Sequence, residues 1–149
     1  MFSDVVTVFN RYKSRLGDMW YPTVIHGVNL NIDKASIVSK YGADSKDSAM
    51  LSIHYQIDGE KILIEKKEYI PPKKWSRQES DKFPDTITFA SGTDFDFFME
   101  GDYGSTEPIA DDDYTDGFYN HMNRQHDFVF AITSVAKYSV IPTFQIMGA

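Results

Sequence analysis

No cysteine occurs in the 149 residues. That excludes a disulfide scaffold, a thiolate zinc site and a cysteine nucleophile together. Long apolar runs are missing as well, so a membrane-spanning helix of ~20 apolar residues is excluded. The opening Met1-Phe2-Ser3-Asp4 lacks a basic stretch followed by an apolar one, and no secretory leader is expected. There is no Gly-x-Ser-x-Gly nucleophile elbow and no Gly-rich loop running into Lys-Ser or Lys-Thr. Most telling, residues 83–123 contain no Lys and no Arg.

What is present is a local excess of acid. Residues 1–82 carry 13 bases against 11 acids, a balance of +2. Residues 83–123 carry ten acids, a balance of −10, and residues 124–149 carry two bases and one acid, a balance of +1. The net charge of −7 therefore comes from one stretch. A protein that grips phosphates needs a basic face, so the charge argues against a nucleic-acid reader. The hydrophobic share of 42% supports a folded core, and the length suits one domain, 1–149, with the acidic segment 83–123 inside it.

Strand signals dominate. Asp4 to Tyr12 is rich in β-branched and aromatic residues and reads as a strand. Gly17-Asp18 marks a turn, and Trp20 to Leu30 a second strand, with Pro22 at the strand start or on an edge and a bulge or a close backbone approach at Gly27. Residues 31–48 are polar and read as a long loop with a turn of helix around Ile37-Val38. From Ala49 to Ile57, Leu51, Ile53, Tyr55 and Ile57 alternate with polar residues, predicting a half-buried strand. Asp58-Gly59 then joins it to Lys61–Glu65 as a hairpin, including Ile62 and Ile64. Further expectations are a helical turn near Trp75, short strands at Thr86–Phe89 and Phe95–Met99, and a helix over Asp112–Asn123. Two strands follow, Phe128–Val135 and Tyr138–Met147. Seven or eight short strands with one short helix and long loops predict a mainly β fold, a small β-barrel or sandwich.

Candidate chemistry is sparse. Asp111-Asp112-Asp113-Tyr114-Thr115-Asp116-Gly117 invites a calcium reading. An EF-hand loop wants an acid at its fifth position, Gly at its sixth and Glu at its twelfth, and the chain offers Thr115, Asp116 and Met122. The four histidines, His26, His54, His121 and His126, have no zinc-helix spacing, and His54 falls on the polar face of its strand. In a strand Asp94 and Asp96 share one face, which predicts two solvated carboxylates beside buried Phe95, Phe97 and Phe98. The densest aromatic segment, Phe95 to Tyr119, is also the acidic one, so core or interface packing suits it better than base stacking. No catalytic residue, metal site or cofactor is expected.

Several segments stand together in a recognisable order. Val5-Val6-Thr7-Val8-Phe9-Asn10-Arg11-Tyr12 precedes Trp20 and Thr23-Val24-Ile25-His26-Gly27-Val28. Phe128-Val129-Phe130-Ala131-Ile132-Thr133-Ser134-Val135 and Gly148 stand near the other end. This set resembles small structural proteins encoded in the head–tail gene block of siphophages and prophages of Gram-positive bacteria. More distantly it is similar to stopper-type head–tail connectors, which open with an Asp-Val-x-x-Phe strand and form a compact barrel in a ring. The family's tail often carries His-Trp before a final Gly, where this chain has Thr143-Phe144-Gln145-Ile146-Met147-Gly148. The central acidic segment has no counterpart.

The resemblance implies a non-enzymatic virion protein assembled in the host cytoplasm. It would be a subunit of a homo-oligomeric ring joining portal or adaptor to tail proteins, away from any membrane, with DNA passing through unread. A tail terminator is the nearest alternative. An acidic immunity or inhibitor-type binding protein is the alternative of another class, since the −10 segment would mask a basic partner. On the connector reading, Asp94, Asp96, Glu100, Asp102, Asp111, Asp112 and Asp113 face the DNA channel; the alternative is an exposed, solubilising acidic face. Loop 31–48 and hairpin 49–65, with Leu51, Ile53, Tyr55, Ile62 and Ile64, are the expected subunit contacts.

Overall fold

The computed structural model describes residues 2–33 and 48–149. Six strands close into an antiparallel barrel: β1 (Asp4–Tyr12), β2 (Met19–Asp33), β3 (Ser48–His54), β8 (Phe97–Glu100), β10 (Val129–Tyr138) and β11 (Thr143–Gly148). Their order around the wall is β1-β8-β10-β11-β3-β2, and β2 pairs back onto β1. Closure removes the open edges that a sheet would otherwise expose. The two-residue β9 (Ile109–Ala110) adds to the start of β2.

The long β2 makes closure possible because it serves two neighbours. It pairs with β1 from Met19 to Val28 and with β3 from Asn29 to Asp33. The handover falls at the expected bulge: Asp4 faces Val28, Val5 faces His26, and Gly27 at φ +68° is skipped. A left-handed backbone at a bulge favours glycine. Pro22 pairs across to Phe9 on a stretch flanked by β1 alone, the edge position its missing N–H requires.

A second sheet comprises β4 (Gln56–Asp58), β5 (Lys61–Ile64), β6 (Lys67–Tyr69) and β7 (Thr86–Ile87). The expected hairpin is present, with Asp58 paired to Lys61 and Gly59-Glu60 as its turn. The expected strand 49–57 breaks at Tyr55, so Ile57 leaves the barrel and is 61% exposed. The next hairpin turns on Glu65 and Lys66, both at positive φ. No glycine or asparagine announced it; Glu65 Oε1 steadies the turn by accepting from the His26 amide at 2.6 Å.

Two cores lie back to back. Val6, Val8, Ile25, Leu51, Ile53, Phe98, Phe130, Phe144 and Ile146 fill the barrel, and Ile64, Ile87 and Phe89 of the insert join them. Alternate residues of the same strands, Phe9, Trp20, Phe97, Met99 and Val129, point outward beneath α2 (Phe118–Gln125), which adds Phe118 and Met122. Period-two alternation thus feeds both cores. α2 starts later than expected. Asp111–Asp113 form a 3-10 turn, and Gly117, at φ +87°, precedes the first helical residue. The other short helical elements are α1 (Pro72–Trp75), at the place expected, and a 3-10 turn at Ser80–Asp85. The last two strands meet at 139–142, so Tyr138 ends β10 rather than opening β11. The helical turn expected around Ile37-Val38, and most of loop 31–48, fall in 34–47, outside the described residues.

Candidate functional site

The expected acidic surface is divided by the strand register. Val6 pairs with Glu100 at one end of the β1–β8 ladder. Six residues further along β1, about 20 Å of strand, Tyr12 pairs with Met19, which pairs with Ala110 beside Asp111–Asp113. Glu100 and Asp102 therefore sit at the opposite end from Asp111, Asp112 and Asp113. Asp94 is exposed but paired with Lys13 at 2.8 Å. Asp116 is paired with Arg124 at 3.1 Å. Glu100, Asp102, Glu107, Asp112 and Asp113 are exposed and form no ion pair with a described residue.

Two of the expected surface acids are structural instead. Asp111 is half-buried, and its Oδ1 accepts from the Trp20 indole and from the Phe118 amide, each at 2.9 Å. It thereby ties α2's first turn to β2 and satisfies one orphan helix N–H. Asp96 is 1% exposed, which overturns its placement in solvent beside Asp94. The chain enters β8 only at Phe97, and Asp96 shares the inward parity of Phe98.

The expected subunit contacts are also corrected. Leu51, Ile53, Tyr55 and Ile64 are buried in the barrel core, and Ile62 packs against it half-buried. The amphipathic pattern was real, but its apolar face is spent inside the subunit. The large apolar groups left outside, among the described residues, are Phe2, Leu16, Ile57, Tyr138, Val140, Ile141 and Met147, with Val140 and Ile141 at 96% and 67% exposure. Phe2 stacks on His54 at 4.0 Å, and with Tyr138, Val140 and Ile141 they line a shallow, almost wholly apolar depression of about 530 Å³.

Around Asp96 the wall opens into a cleft of about 640 Å³, lined by Arg11, Lys13, Lys73, Trp75, Thr88 and Asp96 among others. Three donors converge on the carboxylate. The Arg11 amide reaches Oδ1, and the Asn10 side chain and Ala90 amide reach Oδ2, all at 2.9 Å. Asn10 also donates to the Thr88 carbonyl at 2.6 Å, so this network fastens the 88–90 segment to β1. Burial pushes the Asp96 carboxyl up to about 7, against the pull of its three donors and of Arg11. The Arg11 guanidinium itself bonds Asp18 at 2.7 Å.

The sequence reading missed Asp96 and Asn10 as a buried pair, and it missed Thr88 and Trp75. A signal existed for the first two. Asn10 shares the parity of Val6 and Val8, and Asp96 that of Phe98, so two polar residues fall on the core faces of adjacent strands.

Among the described residues no group of three or more His, Asp or Glu side chains converges as a metal site, and no helix is long and apolar enough to cross a membrane. A family model described as a family of unknown function, DUF6751, matches residues 1–149. The chain belongs to that family. Neither a curated protein nor a solved structure matches this DUF6751 chain.

Proposed function

We propose that this protein is a non-enzymatic structural subunit of a tailed-phage particle, a head–tail connector that assembles as a ring through which DNA passes. The observation that carries this reading is the pairing of a closed barrel with an exposed apolar cluster, Phe2, Tyr138, Val140 and Ile141. A closed barrel offers few edges for strand addition, so association through the barrel would use side-chain patches. A solvent-facing cluster of this kind marks a docking surface. The unpaired acids, Glu100 and Asp102 at one end of the barrel and Asp112 and Asp113 at the other, suit a surface that repels phosphates during DNA transit. The terminal strand segments that resemble phage neck proteins point the same way. A tail-completion ring fits these features equally, because it too surrounds DNA and buries apolar contacts.

The test separates the two surfaces. Particles carrying Val140→Asp with Ile141→Asp should fail to incorporate the protein. Particles carrying Asp112→Asn with Asp113→Asn should assemble but retain or eject DNA abnormally. Normal incorporation of the first variant would refute the docking role, and normal retention and ejection with the second would refute the channel role.

A further inference from the structure

A second surface points to a small ligand. Among the described residues, two buried side-chain polar atoms lack a hydrogen-bond partner, Trp75 Nε1 and Thr88 Oγ1. Both residues are 1% exposed, and both line the cleft above Asp96. Buried polar groups are almost always satisfied, so two orphans in one recess call for a partner that sits there. Asp96 lines the same cleft, and its Oδ1 accepts one bond only, from the Arg11 amide, which leaves acceptor capacity.

The charges narrow the ligand class. Arg11 is bound to Asp18 at 2.7 Å and Lys13 to Asp94 at 2.8 Å, which leaves Lys73 and Asp96 to balance each other. An anion would meet Asp96 and a cation would meet Lys73. A hydroxyl suits the recess better, because one group can accept from the Trp75 indole or the Thr88 hydroxyl while donating to Asp96. Ser91 and Thr93 add further hydroxyls to the lining. The volume of about 640 Å³ lies within the ordinary range of small-molecule sites. We propose that this cleft binds an uncharged, hydroxyl-rich ligand of sugar size, held by Trp75 Nε1, Thr88 Oγ1 and the Asp96 carboxyl. This does not depend on the ring reading.

The chain reports on itself. It has two tryptophans, and the Trp20 indole is already bonded to Asp111 at 2.9 Å. In an amide-nitrogen correlation spectrum of the full chain, the Trp75 indole signal should move saturably on addition of glucose or N-acetylglucosamine, while the Trp20 signal stays still. Thr88→Val, which keeps shape and removes the hydroxyl, should weaken that response about tenfold. The proposal is overturned if neither sugar moves the Trp75 signal in the wild-type chain, or if acetate or phosphate moves it instead. It is equally overturned if a folded Thr88→Val variant binds as well as wild type. Should Thr88→Val fail to fold, the wild-type titration alone decides.

Discussion

Replacing Asp96 by Asn probes the buried carboxyl directly. In the folded chain burial raises this group from 3.8 to about 7. The folded state therefore holds the proton more tightly than the unfolded state does. Between these two values the folded chain binds more protons, so stability falls as pH rises, by at most about 1.4 kcal/mol per pH unit. The stabilising share is complete below pH ~4, and the full loss, about 4 kcal/mol, is reached above pH ~7. From pH 5 to pH 8 the loss amounts to about 2.5–3 kcal/mol. The side-chain amide of the Asp96→Asn variant carries no such titration. It offers one acceptor oxygen to the donors from Arg11, Asn10 and Ala90, a mismatch costing about 1–3 kcal/mol at every pH. Urea unfolding of both proteins at pH 5, 6, 7 and 8 measures the difference, in which every other titrating group cancels. The variant should gain on the wild type by about 2.5–3 kcal/mol across that range. A difference constant to within about 0.5 kcal/mol, or one that moves the other way, would refute the argument that burial outweighs the three donors.

Further substitutions test the packing. Gly148→Ala would place a Cβ 2.7 Å from the Phe130 Cβ and 2.9 Å from the Phe98 ring, so thermal unfolding should show a loss of about 1–3 kcal/mol. Asp111→Ala removes the shared acceptor of the Trp20 indole and the Phe118 amide and should cost about 1–3 kcal/mol. Asp111→Asn keeps an acceptor oxygen and should cost less than Asp111→Ala in the same denaturant series. Leu51→Ala should lose about 2–5 kcal/mol, whereas Val140→Ala should stay within about 0.5 kcal/mol of wild type, because Leu51 is buried and Val140 is 96% exposed. Equal losses at the two sites would contradict the assignment of core and surface.

Local pattern made the barrel legible and long-range pairing hid the site. β1 was readable to its ends because six of its nine residues, Val5, Val6, Thr7, Val8, Phe9 and Tyr12, are β-branched or aromatic and no helix cap precedes them. The Gly27 bulge and the Asp58–Lys61 hairpin announced themselves through glycine chemistry. Leu51, Ile53 and Tyr55 showed correctly that one face is apolar, but periodicity does not say whether that face meets its own barrel or a neighbour. The acids were misjudged for a related reason. Composition counts Asp96, Asp111 and Asp112 alike, while their surroundings are set by partners up to 91 residues away in sequence. The Glu65-Lys66 turn was invisible because its support comes from His26, on another strand. The α2 start moved because Asp111 reaches forward seven residues to the Phe118 amide instead of opening the helix itself.

Cryo-electron microscopy of the parent particle, with the barrel fitted into the density between portal and tail, tests the proposed role as a neck ring subunit. If that proposal holds, several copies of the barrel surround the DNA axis, with Val140 and Ile141 buried between neighbours. Particles that lack the chain, or that carry it away from the neck with Val140 and Ile141 in solvent, would contradict it.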